Sequence, residues 1–395
     1  MKGRQELQET EARRKGVRLL PALCALLAPL VLGACGGAAT VPAPTATPLP
    51  AATSTPTAVP TEVPAPDAPT SPLKLPEDEG AHVAGIEWWY FNGHLADGAG
   101  NRYSFHFVTF QSAAGAAATA QLFQLSWADH ARQIYLTEEK ATLTAPVRSP
   151  GRFDVQYSGW SMRGDGVDYA LSFNTGGDTG TYSLDLTATS RKPAALHQGT
   201  GLAGLGPAGY TYYYSRTRLD ASGTLDIDGQ PRAVTGAAWM DHQWGEISGQ
   251  QVGWDWMSLQ FDDGSDLMAA LVWDPDGRQP FAGYGTHVAA DGAVRHLDAE
   301  DLRLAPTGSW TSPATGVVYP MGWELNVGTL AMDLALTPVQ RDAEFAGSRF
   351  VPAAYWEGAV SVSGTSGGTA VTGKGFVELV GYDPRQTVPN LPTPK

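Results

Sequence analysis

Cysteine is almost missing. The 395 residues hold two, Cys24 and Cys35. Both lie at the N-terminal end, so no disulfide staples the rest of the chain, and a folded part of this length must rely on core packing. Basic residues are also few: 26 Lys and Arg stand against 40 Asp and Glu, a net charge of −14. Residues 1–34 carry six of the basic and three of the acidic side chains, which leaves 20 against 37, or −17, for the remainder. Nucleic acid and anionic lipid are poor partners for such a surface. No segment after Leu32 is apolar for long enough to span a bilayer. The eight His show neither HxH nor HExxH spacing, so neither a metal site nor a cofactor is expected. GxSxG, P-loop and dinucleotide fingerprints are absent as well.

The N-terminus reads as an export signal. Arg13, Arg14, Lys15 and Arg18 precede an apolar run from Leu19 to Leu32, too short for a membrane helix and suited to a signal sequence. The run ends in Leu32-Gly33-Ala34-Cys35, the form of a lipobox, with Cys35 as the residue that is acylated. A tract from Gly36 to Leu75 follows, with ten Pro and eight Thr and few large apolar side chains. It cannot bury enough surface to fold, and reads as a tether with a reach on the order of 100 Å. The expected location is the extracytoplasmic face of a bacterial cell membrane. Domain limits follow: signal 1–34, anchored linker 35–77, N-terminal domain 78–248 and C-terminal domain 249–388.

From His82 onward helix signals are scarce. Alternating runs such as Arg102–Phe110, Tyr182–Thr189, Tyr210–Leu219 and Leu267–Trp273 are separated by turns at Asp97-Gly98, Asp228-Gly229, Asp263-Gly264 and Asp291-Gly292. This predicts an all-β fold of sandwiches or barrels. The chain also echoes itself. Trp88-Trp89-Tyr90 returns as Trp254-Asp255-Trp256 after 166 residues, and Val234-Thr235-Gly236 returns as Val371-Thr372-Gly373 after 137. Two similar β-domains with a junction near Gly245 to Gly253 account for both echoes.

Four clusters pair aromatic with ionisable groups. In Glu87-Trp88-Trp89-Tyr90-Phe91-Asn92-Gly93-His94, strand alternation puts Glu87 and Trp89 on one face and Trp88, Tyr90 and His94 on the other. Either this is core with hydrogen-bonded tips, or Glu87, Trp89 and His94 line a pocket. In Trp239-Met240-Asp241-His242-Gln243-Trp244, the faces are Trp239/Asp241/Gln243 and Met240/His242/Trp244. Asp241 and His242 are candidates for acid–base work, and the alternative is a polar belt joining two domains. Trp254 and Trp256 share a face, with Trp273-Asp274 one hairpin later; either a carboxyl group beside indole and out of water keeps its proton toward neutral pH and acts as an acid, or this is an ordinary strand with a capping Asp. Tyr214, Arg216 and Tyr355-Trp356-Glu357 form the last cluster, in which an ion pair of Arg216 with Glu357 or Asp241 is the favoured reading. Ser215 shows no sign of being a nucleophile.

The runs Glu87–Leu95, Tyr213–Leu219, Trp239–Gly245, Gly253–Trp256 and Tyr355–Val360 together resemble the AttH-like/carotenoid 1,2-hydratase (CrtC) family over about residues 80–385. The resemblance implies two tandem lipocalin-like β-barrel or sandwich domains packed together around an apolar ligand. It further implies that the acid and its helpers are His242, Trp244, Trp273 and Asp274. One departure stands out: Gln124 occupies a position where many members carry His. Three functions remain open. One is a hydratase, isomerase or cyclase acting on a polyene, isoprenoid or lipid, with Asp241, His242 and Asp274 catalytic and Glu87, Trp89, His94, Tyr214, Trp239, Trp244, Trp254, Trp256, Trp273 and Trp356 against the ligand. The others are a non-catalytic carrier of a lipid or pigment and a structural surface lipoprotein.

Overall fold

The computed structural model describes residues 72–113, 118–146, 149–247, 252–274, 280–348 and 350–385. The signal, Cys35 and most of the linker lie outside the described residues. Among those described there are strands, turns and short 3-10 turns, and no α-helix.

Among the described residues every strand pairing is antiparallel, and the strands form two large sheets and one small hairpin, Ser309–Thr311 with Val318–Pro320. The first runs, in spatial order, through Ile134–Thr144, Thr119–Asp129, Arg102–Ala113, Ile86–Asp97, Gln230–Ile247, Gly209–Ile227, Gly180–Ser190, Asp168–Gly177, Trp160–Gly164 and Phe153–Tyr157. It curls until Ile134–Thr144 approaches Asp168–Gly177, making a nearly closed barrel. The second runs through Val294–Asp298, Pro280–Val288, Asp266–Trp273, Gly253–Phe261, Thr369–Val380, Tyr355–Ser366, Met332–Pro338, Trp323–Val327 and Leu302–Pro306. The fold is thus a pair of tandem lipocalin-like barrels, and the first sheet's last strand ends six residues before Gly253 opens the second.

Curling of this kind shelters the sheet edges without pairing them. It also gives each strand an inner and an outer face, which the sequence fills differently. Trp89, Phe91, Phe107, Trp127 and Trp160 pack inside the first barrel, and Leu259, Trp323, Trp356 and Val360 inside the second. Each such aromatic removes on the order of 150–250 Å² from water, worth about 4–6 kcal/mol before entropy. Both interiors are therefore solid cores rather than ligand calyces. A third apolar cluster joins the barrels: Tyr90, Tyr213 and Trp239 from the first meet Trp256, Met268, Tyr284 and Phe376 from the second.

An ion cluster ties the same interface. Asp266 is fully buried and receives Lys192 at 2.7 Å, Arg218 at 2.7 Å and the Thr217 hydroxyl at 2.9 Å. A β-bulge between Arg216 and Leu219 lets the successive residues Thr217 and Arg218 reach one carboxylate.

Candidate functional site

Two strands at the middle of the first sheet carry most of the ionisable candidates. Ile86–Asp97 pairs with Gln230–Ile247 so that Tyr90 lies opposite Asp241, and Trp89 opposite His242. Alternation then separates neighbours in sequence. Trp239 and Asp241 face the second barrel, whereas Met240, His242 and Trp244 point into the first. Asp241 and His242, neighbours in sequence, therefore do not bond each other. The two residues stand on opposite sides of one sheet, and His242 bonds Glu87 instead, at 2.8 Å.

Asp241 accepts three hydrogen bonds across the barrel interface: from the Trp239 indole at 2.6 Å, from the Tyr213 hydroxyl at 2.6 Å and from Ser215. The Trp256 indole in turn donates to Tyr213 at 3.0 Å. Ser215, its one proton given to Asp241, accepts from His197 Nε2 at 2.7 Å, while His197 Nδ1 meets the Thr286 hydroxyl at 2.9 Å. Ser215 is a relay between carboxyl and imidazole, not a nucleophile aimed at open space. Burial raises Asp241 more than its donors lower it, to about 6.

Two more carboxyl groups face the same interface. Glu357 and Glu378 lie directly opposite each other across the hairpin Tyr355–Ser366/Thr369–Val380, so their side chains share one face. Trp256 lies on the other side of Glu378. Tyr90 donates its hydroxyl proton to Glu357, and His106 Nδ1 approaches the other oxygen at 3.1 Å. Ser126 holds the same ring nitrogen at 2.7 Å. Gln124, on the strand where the resemblance places a His, lies beside this group and accepts from Tyr355 at 3.3 Å. Burial and the neighbouring Glu378 push Glu357 well above the ordinary carboxyl range. Glu378 is only partly buried by area, yet its enclosed carboxyl group is raised to about 7 by burial, against a lowering hydrogen bond from Trp254. Two carboxyl groups this close cannot both ionise cheaply, so the pair holds a proton near neutrality.

Partly exposed Trp88, Phe110 and Trp254 border this cluster. The hollows at residues 156–161 and around Glu138, Asn174 and Asp226 reach none of the three carboxyl groups.

The remaining candidates sit elsewhere. Arg216 pairs with Glu79, not with Glu357 or Asp241, because its side chain points into the first barrel. Tyr214 donates to Glu79 at 2.7 Å on that same inner face. Trp89 stacks on His242 inside the first barrel. Trp356 is core of the second barrel and donates to the Arg341 carbonyl. Trp273 packs edge-on to Tyr382 and against Gly253, and Asp274 follows it at the strand's end, half-buried. His94 bonds the Gly375 carbonyl at 3.1 Å, where burial holds its imidazole well below the usual range. Thus Asp241, Trp239, Trp254 and Trp256 gather at the interface, and Glu87, Trp89, Tyr214, His242 and Trp244 inside the first barrel. Glu357 as an acid, Glu378, Tyr90, His106 and His197 were not singled out by sequence reasoning. A readable signal existed for the first two. Gly367 and Gly368 both have positive φ in a two-residue turn, and such a turn sets the hairpin register that opposes Glu357 to Glu378.

The AttH-like family model matches residues 66–382, and the chain belongs to that family. A crystal structure of a protein from Nitrosomonas europaea, provisionally named AttH, is 29% identical. It covers 80% of this chain and 99% of its own, with a TM-score of 0.68. Kievitone hydratase from Nectria haematococca shares the fold at 19% identity, covering 80% of this chain and 97% of its own, with a TM-score of 0.62. No curated protein matches the chain.

Proposed function

We propose that this AttH-like protein takes an extended apolar, unsaturated ligand of the polyene, isoprenoid or lipid class at the aromatic rim between its barrels and acts on it by acid catalysis. One observation carries the reading: Asp241, Glu357 and Glu378 converge on one interface, all with raised proton affinity, and bond to Ser, Tyr, Trp and His rather than to Lys or Arg. An ion cluster of purely structural purpose would be neutralised in the way Asp266 is, by Lys192 and Arg218.

The chemistry follows from those protonation states. A protonated carboxyl group, Glu378 nearest the rim, transfers its proton to an alkene carbon. The cation left on the neighbouring carbon lies against the faces of Trp254 and Trp256, worth about 0.5–2 kcal/mol for each desolvated contact. Water adds to the cation, and the Glu378 carboxylate left by the first step takes the proton that water loses. The sum is one water gained and a regenerated acid. Capture by a second double bond, followed by proton loss, gives cyclisation or isomerisation with no change of mass. The kievitone hydratase fold is compatible with the first course. Acylation at Cys35 would hold the site beside a membrane that supplies such a ligand.

The test is incubation of the full chain with lycopene- or neurosporene-type polyenes, followed by mass analysis. Gain of one water, lost in Glu378→Gln, supports the hydratase reading, and an isomeric product of unchanged mass supports the cyclase form. Tight binding without conversion assigns a carrier, and neither binding nor conversion rejects the proposal.

A further inference from the structure

Inside the first barrel, on the side of the sheet away from Asp241, a second polar cluster remains unused by this chemistry. The segment preceding the first strand crosses the barrel end as a strap. Leu73, Leu75, Ala81 and Ala84 pack against the barrel core, and Glu79 is buried against Tyr214 and Arg216. The strap delivers His82 to the barrel mouth, stacked flat on Trp244 with ring centroids 3.9 Å apart. There His82 Nδ1 and His242 Nε2 each lie 2.8 Å from the same oxygen of Glu87. The candidate ligand atoms of the three residues all fall within 4.8 Å of one another.

Proton bookkeeping shows what this arrangement lacks. Tyr214 has one hydroxyl proton, and it goes to Glu79 at 2.7 Å. The 3.1 Å contact from Tyr214 oxygen to His242 Nδ1 therefore needs its proton on the imidazole. In the neutral ring that leaves a lone pair on Nε2, aimed at a Glu87 oxygen that also carries only lone pairs. His82 offers the same choice: with its proton on Nε2, toward Asp78 at 3.4 Å, its Nδ1 presents a lone pair to Glu87, and in the other tautomer Nδ1 donates to that oxygen at 2.8 Å, a proton that a bound ion would replace. The other Glu87 oxygen accepts from the Gln111 amide at 2.6 Å and from the His82 backbone N–H at 2.9 Å, and that N–H also reaches the shared oxygen at 3.2 Å. With the outward nitrogen of each ring protonated, two imidazole lone pairs and a carboxylate converge on one point, each oriented from behind by a further polar group. That is the construction of a metal site, in which an outer carboxylate or hydroxyl fixes the tautomer of each ligating His.

We infer that His82, Glu87 and His242 form a three-ligand site for a divalent transition-metal ion of the zinc type, with Asp78, Tyr214 and Gln111 as its outer supports. Two His and one carboxylate suit zinc, with bonds of about 2.0–2.2 Å. Accepting the ion spreads the nitrogen–oxygen separations by about half an ångström, a movement available to His82 because it sits on the strap and is partly exposed. That exposed edge also provides the way in. The site stands apart from the carboxyl groups between the barrels and does not depend on their chemistry.

The full chain, stripped with a chelator and dialysed, is titrated with Zn²⁺ by calorimetry and with Co²⁺ by visible absorption. One equivalent is expected to bind. His82→Ala is expected to weaken binding at least tenfold and to abolish the Co²⁺ ligand-field bands, with circular dichroism unchanged. Asp78→Asn, which leaves all three ligands in place, is expected to cost about tenfold. Absence of stoichiometric binding, or binding equally tight in a folded His82→Ala variant, overturns the inference.

Discussion

Asp241 accepts three hydrogen bonds and still holds its proton to about pH 6, because burial outweighs the donors. Removing one donor should tip that balance further. Ser215→Ala is expected to raise the Asp241 pKa and to move the alkaline limb of any pH–activity profile upward, which a titration of the variant against the wild type reads directly. Asp241→Asn and Glu378→Gln remove proton donors outright, and each is expected to lower turnover by about 10²–10⁴-fold with little change in ligand affinity. Full turnover in Glu378→Gln would show that the proton comes from elsewhere. At this scale the sequence was legible in part. Alternation along Trp239–Trp244 puts Asp241 and His242 on opposite faces, and the structure obeys it. What it cannot show is which distant residue each one meets: Ser215, Tyr213 and Glu87 arrive from other strands.

Among the elements, the long hairpin Gly209–Ile227/Gln230–Ile247 shows how one extra residue selects a site. At its Asp228-Gly229 turn Ile227 pairs with Gln230, and the same register continued would bring Ser215 opposite His242. The bulge between Arg216 and Leu219 shifts the pairing by one, so Ser215 meets Asp241 and Tyr214 meets His242. A bulge has no strong signature in this stretch, which is why the Ser215 relay escaped notice, whereas the Gly367-Gly368 turn made the Glu357–Glu378 pairing readable in principle. The bulge also sends Thr217 and Arg218 to Asp266. Asp266→Ala leaves buried Lys192 and half-buried Arg218 without their carboxylate, and is expected to destabilise the fold by about 3 kcal/mol in chemical denaturation. A change below about 1 kcal/mol would mean that water reaches Lys192 and Arg218 readily.

For the whole molecule, the buried groups set opposing dependences on pH. The carboxyl groups of Asp241 and Glu378 are raised in the fold, so their contribution to stability is complete below about pH 4 and is lost as pH rises through about 6 and 7. Burial lowers His106 and His197 to about 3, so theirs is complete above about pH 6.5 and is lost as pH falls. The slopes oppose each other between pH 4 and 6.5, and only the carboxyl loss remains above it. Thermal melts from pH 5 to 8.5 should fall on the alkaline side, and the Asp241→Asn/Glu378→Gln double variant should make that limb shallower, with Glu357 left to contribute. An unchanged limb would place the raised proton affinities elsewhere. The all-β class and the tandem barrels were legible as a pattern of short alternating runs and an internal echo, and family membership bears out the resemblance. The filling of both barrels was not, since periodicity marks a buried face without saying whether side chains or a ligand fill the space behind it.

The strand Gln230–Ile247 is a party wall. An imidazole on one side serves the first barrel, and a carboxyl group one position earlier serves the seam with the second. Deleting a single residue ahead of Trp239 would not weaken these two environments by degrees: it would exchange their tenants, handing the carboxyl group to the barrel core and the imidazole to the seam. Substitution can therefore change what stands on this wall one side at a time, whereas a change of length between the Asp228-Gly229 turn and Trp244 disturbs both neighbours at once.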